Sequence, residues 1–341
     1  MSDAVATRSE RAADDSALPS GSFAAAPLPD GRLVVVRRAL PADAPDVLRV
    51  IHAAFAGRPV RSNLPAALSE TDATIRAAIE ACAGFMLEVD GEAAAATVLS
   101  HDGDAYQLGR VAVRPKFQRL GLATMLVSAL LEALALNGVA RVTLLVRKEY
   151  PEIGRWWAGR GFQFVSHEGE HARMAAWLPV VVGVPDADAM RDLGRRVAVL
   201  MRPGDVIIAS GDLGAGKTTF AQGLGAGLGV DGPVISPTFV LSRVHRARSG
   251  GPGLVHVDAY RLGDAAELDD LDLDASLDDS VTFVEWGSGI AEGLSDVRLA
   301  VDIRRGIDPA DDTRWVFLNG IGGRWSRAEL EAAARPEENN A

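Results

Sequence analysis

Residues 211–218 read Gly211-Asp212-Leu213-Gly214-Ala215-Gly216-Lys217-Thr218, and Thr219 follows. This stretch matches the phosphate-binding loop pattern G-x-x-x-x-G-K-[ST] at every fixed position. The six residues before it, 205–210, form a short apolar and β-branched run that is typical of a buried strand. The apolar residues after it recur every four positions, as on one face of a helix: Phe220, Leu224 and Leu228. The sequence therefore predicts a strand, a glycine-rich loop and a helix in that order.

This loop has the chemistry that phosphate binding requires. Glycines let successive backbone N–H groups turn toward one anion, and the N-terminus of the following helix adds a partial positive charge. In such a loop Lys217 bridges the β- and γ-phosphates of a nucleotide, and the Thr218 hydroxyl ligates Mg²⁺. The alternative is a glycine-rich turn without a ligand. That alternative is disfavoured because lysine is rare in this chain, at Lys116, Lys148 and Lys217, and one of them occupies the required position.

Length and composition indicate two folded domains in a reducing compartment. The chain has 341 residues, of which 48% are hydrophobic, enough for two domains with cores of their own. The single cysteine, Cys82, excludes an intramolecular disulfide and fits the cytoplasm. No apolar run reaches the roughly 18–20 residues of a membrane span, and the N-terminus lacks the apolar region of a signal peptide. We therefore expect a cytoplasmic protein without a membrane partner.

The net charge of −11 argues against a broad basic face that binds nucleic acid by itself, and it leaves local basic patches as the alternative. A chain that holds a nucleic-acid backbone by itself presents a broad basic face. Any role on a nucleic acid is therefore expected to depend on a protein partner.

The first half of the chain predicts a mixed α/β domain over residues 32–178. Residues 1–31 are rich in Ala, Ser, Asp and Pro without periodicity, which predicts a disordered tail. After it we expect a strand, two helices, three strands that include an Asp90-Gly91 hairpin turn, a long helix, a strand, a helix and two closing strands.

The segment between the third of those three strands and the long helix carries a second anion-binding pattern. It reads Val111-Ala112-Val113 at the strand end and Gln118-Arg119-Leu120-Gly121-Leu122-Ala123 at the helix start. The Q-x-x-G-x-A spacing puts backbone amides at a helix N-terminus, where a pyrophosphate binds well. A strand–helix turn without a ligand is the alternative.

This motif and order of elements resemble the GNAT family of N-acetyltransferases. The opening Arg37-Arg38-Ala-x-Pro-x-Asp43 and the closing Gly161-Phe162 are also typical of that family. The resemblance implies a mixed sheet with flanking helices and a site for acetyl-CoA. The residues it assigns to acetyl-CoA are Val111, Ala112, Val113, Gln118, Arg119, Gly121, Leu122 and Ala123.

One position departs from the GNAT pattern. Members of the family commonly have a Tyr four residues before the closing Gly-Phe, where it protonates the departing CoA thiolate, but this chain has Trp157. An indole has no titration near neutral pH and cannot be that acid, and Tyr150 is a substitute at a different spacing. Either acyl transfer uses water as the proton source, or the domain binds CoA without efficient turnover. Candidate bases for the unidentified acceptor amine, each with a structural role as the stronger alternative, are Glu88, His101 and Asp102.

The second half of the chain adds three motifs to the phosphate-binding loop. Residues 236–239 read Ser-Pro-Thr-Phe, where many enzymes with this loop sense the γ-phosphate. Two apolar strands follow and end in Asp258 and Glu285. In a doubly wound sheet such strand ends gather beside the loop, so both carboxylates are expected to reach Mg²⁺ or its waters; helix capping is the alternative. His256 is predicted to be a packed or hydrogen-bonded core residue.

These four motifs, in this order within about 150 residues, resemble the TsaE family. That family is the ATPase component of the machinery that makes N6-threonylcarbamoyladenosine at position 37 of tRNA. The resemblance implies that residues 211–219 and Trp286 bind ATP and that Thr218 and Glu285 hold Mg²⁺. The catalytic residues it implies are Lys217, Thr238, Asp258 and Glu285. Arg314 is a further candidate contact to the nucleotide, and Ser288 departs from a carboxylate that the family often has there.

The predicted fold class is α/β: a GNAT-type mixed sheet with flanking helices, then a doubly wound P-loop NTPase sheet over residues 180–330, then a polar tail at 331–341. The predicted function is a Mg²⁺-dependent ATPase subunit for tRNA threonylcarbamoylation, fused to an acetyl-CoA-binding domain. Its expected partners are TsaB/TsaD-like transferase subunits, and tRNA is reached only through them. A nucleotide-dependent assembly switch is the alternative.

A further expectation concerns the acidic segment from Asp264 to Asp279. Its leucines are Leu268, Leu271 and Leu273. They belong either to a solvated amphipathic face or to a partner-docking surface.

Overall fold

The structure is a computed structural model of the chain and describes residues 21–56, 66–248, 250–269, 271, 278–306 and 312–336. The chain divides into two compact units between Leu178 and Pro179. Within the described ranges, the first unit holds a sheet of eight strands and the second a sheet of seven. Among the helices of these ranges, none combines the length and hydropathy that a membrane crossing requires.

The first unit is a mixed sheet with flanking helices. Its strands are β1 (Ser22–Pro27), β2 (Leu33–Ala39), β3 (Ala83–Val89), β4 (Glu92–Asp102), β5 (Ala105–Val113), β6 (Arg141–Arg147), β7 (Gln163–Glu168) and β8 (His171–Trp177). Its helices are α1 (Ala44–Ala56), α2 (Asp72–Ala81), α3 (Leu122–Leu136) and α4 (Pro151–Ala158). The strand order is β1-β2-β3-β4-β5-β6-β8-β7, in which only β5 and β6 run parallel.

The first strand corrects the prediction of a disordered tail up to residue 31. Residues 22–27 form β1, which pairs antiparallel with β2 from Leu33 to Arg37. The Ala-rich segment has neither β-branched residues nor alternation, so nothing local predicts a strand. Its backbone groups are instead satisfied by the free edge of β2, a partner that only the folded sheet supplies. Residues 1–20 lie outside the described ranges.

The second unit is a sheet with a parallel centre. Its strands are β9 (Val180–Val184), β10 (Val206–Ser210), β11 (Ser242–His245), β12 (Gly253–Asp258), β13 (Ser280–Glu285), β14 (Arg298–Arg305) and β15 (Arg314–Ile321). Its helices are α5 (Ala187–Ala198), α6 (Lys217–Leu228), α7 (Ala265–Asp269) and α8 (Arg327–Ala334). The order is β11-β12-β13-β10-β14-β15-β9, and the four strands β12, β13, β10 and β14 are parallel.

Both faces of this second sheet are covered. Along β10, Ile207 and Ala209 belong to the core under α5, α6 and α8, whereas Val206 and Ile208 belong to the core on the other face. Strands buried on both faces explain the continuous apolar run before the loop. The predicted α/β class, with a mixed sheet followed by a P-loop sheet covered on both faces, is confirmed.

The burial of the described leucines in the acidic segment contradicts a leucine docking surface. Leu268 is 1% exposed and belongs to the core on the second face of the sheet, and Leu271 packs half-buried against that core. Their apolar side chains cover a sheet face that would otherwise meet water, which is the ordinary requirement of a layered domain. Leu273 lies outside the described ranges.

Helices α5 and α6 approach each other through glycines. A Cβ on Gly223 would lie 2.0 Å from the Arg191 carbonyl oxygen, and a Cβ on Gly194 would lie 2.4 Å from the Phe220 carbonyl oxygen. Both distances are far below van der Waals contact, so only glycine allows the two backbones to come this close. This contact fixes α6, and with it the loop that precedes α6.

We predict that Gly223→Ala destabilises the second unit by about 1–3 kcal/mol, because the added methyl group overpacks the helix contact. In an unobstructed helix the same change stabilises by up to about 1 kcal/mol. Urea unfolding of the full chain measures the difference. Gly154→Ala in α4 is the control, since nothing lies within 4 Å of its added Cβ. A Gly223→Ala variant as stable as the parent chain would contradict the close contact.

Candidate functional site

The glycine-rich loop joins β10 to α6 at the carboxyl edge of the parallel strands. Gly211, Gly214 and Gly216 have φ angles of 137°, 74° and 116°, a region that glycine enters without strain. A Cβ on Gly211 would lie 2.3 Å from the Ile303 carbonyl oxygen, so the loop is also pressed against β14. Gly216 is the N-cap of α6 and has no side chain to satisfy the first N–H groups of the helix. The loop thus fits an anion such as a phosphate chain.

Lys217 folds back over this loop. Its Nζ donates to the carbonyl oxygens of Gly211 at 2.7 Å and Asp212 at 3.0 Å, and it lies 3.8 Å from the centroid of the Trp286 ring. Burial lowers the pKa of the Lys217 ammonium, while three nearby carboxylates oppose that shift. The ammonium is therefore held inside the loop by neutral acceptors that an anionic ligand can replace.

Glu285 ends β13 directly beside the loop. Its Oε1 accepts a hydrogen bond from the Thr218 hydroxyl at 2.7 Å and lies 2.9 Å from His256 Nε2. A carboxylate and a hydroxyl in contact are the oxygen ligands that Mg²⁺ prefers, so this pair fits the metal. His256 is fully buried, and its ring packs edge-on against Phe283, so the prediction of a hydrogen-bonded core residue is confirmed.

Asp258 ends β12, the neighbouring strand, opposite Glu285 in the register. Its Oδ2 accepts hydrogen bonds from the Ser236 hydroxyl at 2.9 Å and the Thr238 hydroxyl at 2.6 Å. Its Oδ1 accepts one from the Tyr260 N–H at 3.1 Å. This buried carboxylate therefore ties the Ser-Pro-Thr-Phe segment to the sheet edge beside the loop. The structure brings Lys217, Thr238, Asp258 and Glu285 to one place.

Trp286 closes this group from the side. Its φ of 62° is unusual for a bulky residue, and its backbone N–H donates to the Ala209 carbonyl oxygen at 2.9 Å. Its ring lies 5.1 Å from that of Tyr260, between centroids. Backbone strain of this kind persists only where the surroundings impose it, and it is concentrated at functional sites.

A cavity of about 280 Å³ lies along the outer side of the loop. One wall is formed by the loop and the first turn of α6: Gly214, Ala215, Gly216 and Thr219. The other wall is formed by residues around the start of α5 and the start of β15: Pro185, Asp186, Ala187, Met190, Asp312 and Arg314. The sequence singled out Arg314, and the structure places it here. Sequence reasoning missed the residues at the start of α5. The sequence signal for these residues is the helix start at Asp186. It does not point to the site, because a whole strand, β10, separates this helix from the loop.

The first unit has an opening between β5 and β6. These parallel strands pair only from Tyr106–Leu108 to Val142–Leu144. Over the described length of both strands the pairing stops there, so Val111, Ala112 and Val113 face a gap on that side. On the other side β5 bulges against β4 near Arg110, whose φ is 56°.

The start of α3 borders the same gap. Gly121 is the N-cap of α3 with a φ of 76° and no side-chain cap, which leaves the first helical N–H groups of Leu122 and Ala123 open. Arg119 has a φ of 66°, and the Gln118 side chain donates to the Val113 carbonyl oxygen at 3.3 Å. The residues predicted to bind acetyl-CoA are thus gathered between the end of β5 and the start of α3.

The candidate proton-transfer residues of this unit have structural contacts. Trp157 is buried against Phe162 at 5.0 Å between ring centroids. Glu88 forms an ion pair with Arg37 at 2.8 Å, and Asp102 forms one with Arg173 at 2.5 Å. The His101 ring contacts that of Tyr106, at 5.5 Å. Tyr150 is buried before the first turn of α4.

Comparison with known proteins identifies both units. Residues 184–313 match the family model described as "Threonylcarbamoyl adenosine biosynthesis protein TsaE", and residues 57–162 match "Acetyltransferase (GNAT) family". A TsaE protein of Streptomyces coelicolor is 56% identical over 147 residues, which is 42% of this chain and 99% of that protein. A TsaE protein of Mycobacterium tuberculosis is 45% identical over 152 residues, 41% of this chain and 90% of that protein.

Among solved structures, the ribosomal-protein-S18-alanine N-acetyltransferase from Escherichia coli is 21% identical at a TM-score of 0.36, covering 42% of this chain and 93% of that one. The assignment of the first unit rests on the family model instead. The relative from Streptomyces coelicolor is matched over nearly its whole length at well above 30% identity. The first unit is similar to the GNAT family of acetyltransferases over residues 57–162, and the chain belongs to the TsaE family through its second unit.

Proposed function

We propose that the second unit binds and hydrolyses ATP with Mg²⁺, in support of tRNA threonylcarbamoyladenosine biosynthesis. The observation that carries this proposal is the contact of Thr218 with Glu285 beside a loop that also holds the buried Lys217 ammonium. The names of the curated relatives supply the biosynthetic process. Buried ionisable groups that gather beside a glycine-rich loop are typical of functional sites.

The residues of the loop would each act on a different part of the nucleotide. The loop amides and Lys217 bind the phosphates, so that Lys217 exchanges two carbonyl acceptors for anionic oxygens. Thr218 and Glu285 hold Mg²⁺, which neutralises charge on the β- and γ-phosphates when bound. Asp258 and Thr238 orient the attacking water or report the γ-phosphate. The cavity beside Thr219 and Arg314 receives the nucleoside.

A nucleotide-dependent assembly switch is the second candidate, and one observation favours it. The segment that Asp258 holds continues into a surface that is apolar and open: Phe239 is 88% exposed and Tyr260 61% exposed. A contiguous exposed apolar patch, unlike a single exposed apolar residue, is typical of a protein-interaction site. Asp258 accepts hydrogen bonds from the Thr238 hydroxyl and from the Tyr260 backbone N–H. If Asp258 and Thr238 report the γ-phosphate as proposed, a partner bound to this surface would sense which nucleotide is present. TsaB/TsaD-like transferase subunits are the partners we propose, with tRNA contacted only through them.

For the first unit, we propose acetyl-CoA as the ligand. The gap between β5 and β6 and the uncapped amides of α3 support binding of a pantetheine chain and a pyrophosphate, respectively. The buried indole of Trp157 cannot supply a proton to the CoA thiolate. Acetyl transfer with water as the acid and CoA binding without efficient turnover remain the two forms of this proposal.

The first test of the proposed function is Lys217→Ala. Loss of one preorganised charge on the phosphates is expected to reduce the rate of ATP hydrolysis by roughly 10²–10³-fold. Thr218→Ala is expected to raise the Mg²⁺ concentration that half-maximal hydrolysis requires. Lys148→Ala, which removes an exposed lysine from the other unit, is the control. It should change neither the rate of ATP hydrolysis nor the Mg²⁺ concentration that hydrolysis requires. Unchanged hydrolysis by the Lys217 variant would disprove the site assignment.

The second test concerns acetyl-CoA. A ligand that binds only the folded unit raises its unfolding temperature by mass action, so millimolar acetyl-CoA should stabilise the parent chain. Gly121→Glu places a carboxylate where the pyrophosphate would bind and should abolish the thermal shift. Gly138→Glu is the matched control: it adds the same charge at a similar φ, 79° against 76°, at the other end of α3. Loss of the shift in both variants would argue against a site at Gly121.

The third test separates the switch from direct nucleic-acid binding. Pull-down with the transferase subunits should succeed with a non-hydrolysable ATP analogue and fail with ADP. Phe239→Asp should reduce capture, whereas Val199→Asp, at an apolar residue that is 83% exposed elsewhere on the same unit, should not. The chain alone should bind tRNA weakly, because its net charge is −11. Two outcomes would contradict this proposal. One is complex formation that does not depend on the nucleotide, and the other is submicromolar binding of tRNA by the chain alone at physiological salt.

A further inference from the structure

Arg305, the last residue of β14, places its guanidinium against the middle of the phosphate-binding loop. Its Nη2 lies 3.1 Å from the position that a Cβ on Gly214 would occupy. A side chain at residue 214 would therefore meet this group, a second reason for glycine besides its φ of 74°. Arg305 is exposed, so its position is not imposed by burial.

A second arginine stands directly opposite. Arg305 pairs with Arg314 in the register of β14 and β15, and Arg314 lines the cavity beside Gly214. Like charges directly across two antiparallel strands destabilise the sheet. Arg314 forms an ion pair with Asp312 at 3.6 Å, and the Asp312 side chain is 95% exposed. Among the described residues, none forms an ion pair with Arg305.

The neighbouring arginine behaves differently. Arg304 forms an ion pair with Asp302 at 2.6 Å, and its guanidinium lies 4.6 Å from the centroid of the Phe317 ring. Two successive residues of one strand point to opposite faces, so Arg304 turns away from the loop that Arg305 faces. The charge of Arg304 is satisfied by the protein, whereas the charge of Arg305 is directed at an anion-binding loop.

We propose that Arg305 contacts the phosphate chain of the bound nucleotide, as a second cation of the site besides Lys217. This inference rests on the proposed function of the loop as an ATP site. Lys217 reaches the start of the loop, at Gly211 and Asp212, from the buried side, and Arg305 reaches Gly214 from the exposed side. A guanidinium can donate two parallel hydrogen bonds to phosphate oxygens, which a lysine cannot. Nucleotide binding also relieves the repulsion between Arg305 and Arg314.

The test is equilibrium binding of ATP and ADP to the full chain, by titration calorimetry, in parent, Arg305→Ala, Arg305→Lys and Arg304→Ala forms. Loss of a charged hydrogen bond should weaken binding by about tenfold to a hundredfold in Arg305→Ala. Arg305→Lys should retain part of the affinity, because it keeps the charge but loses the two parallel donors of the guanidinium. Arg304→Ala removes the same charge one residue away and should remain within about twofold of the parent chain.

Thermal unfolding without nucleotide distinguishes ligand contact from a structural role. Because Arg305→Ala removes a like-charge repulsion, its unfolding midpoint should equal or exceed that of the parent chain. A parent chain that binds ATP while Arg305→Ala binds it equally well would overturn the inference and leave the proposed function standing. Equal losses in Arg304→Ala and Arg305→Ala would also overturn it, since they would reflect net charge. A parent chain that binds no ATP would overturn both.

Discussion

The second unit depends on the parallel register of three strands, which all end at one edge of the sheet. Ala209 of β10 lies opposite Glu285 of β13, and Glu285 lies opposite Asp258 of β12. The loop that leaves β10 is therefore forced to begin beside both carboxylates. From this single constraint follow the hydrogen bond of Thr218 to Glu285 and the enclosure of Lys217. A shift of one residue in either pairing would turn the carboxylates to the other face of the sheet.

The charges gathered at that edge are tolerated because each has a partner. Glu285 accepts hydrogen bonds at one oxygen, Asp258 accepts them at both, and Lys217 donates to two carbonyl groups. A buried charge without such partners costs several kcal/mol, so the set is stable only as a whole. The N-cap of α6, Gly216, offers no side-chain acceptor to the first-turn N–H groups, and an anion at the loop can bind them.

The two helices that begin at the anion sites differ in their N-caps from three other helices. Helices α2, α5 and α8 begin with Thr71, Asp186 and Ser326, whose side chains accept hydrogen bonds from the first turn. In contrast, α3 and α6 begin with Gly121 and Gly216 in the left-handed region and have no side-chain cap. A capped helix has already satisfied its N–H groups, whereas a glycine start leaves them for a ligand. Each unit thus has a helix that begins with an uncapped glycine and follows a strand of its own sheet.

The sequence by itself determined what is local in this protein. The loop motif, the strand before it, the Q-x-x-G-x-A start of α3 and the Asp186 cap depend on neighbours within a few residues, and each was predictable. Only the tertiary structure decided the rest. Strand β1 exists because β2 offers it a free edge, Leu268 is buried because a sheet face needs a cover, and Gly223 is required because α5 lies against it. The guanidinium of Arg305 lies against Gly214, about ninety residues earlier in the chain. These contacts join residues far apart in sequence, and no local pattern records them, because the free energy that selects them arises only when the sheet has formed.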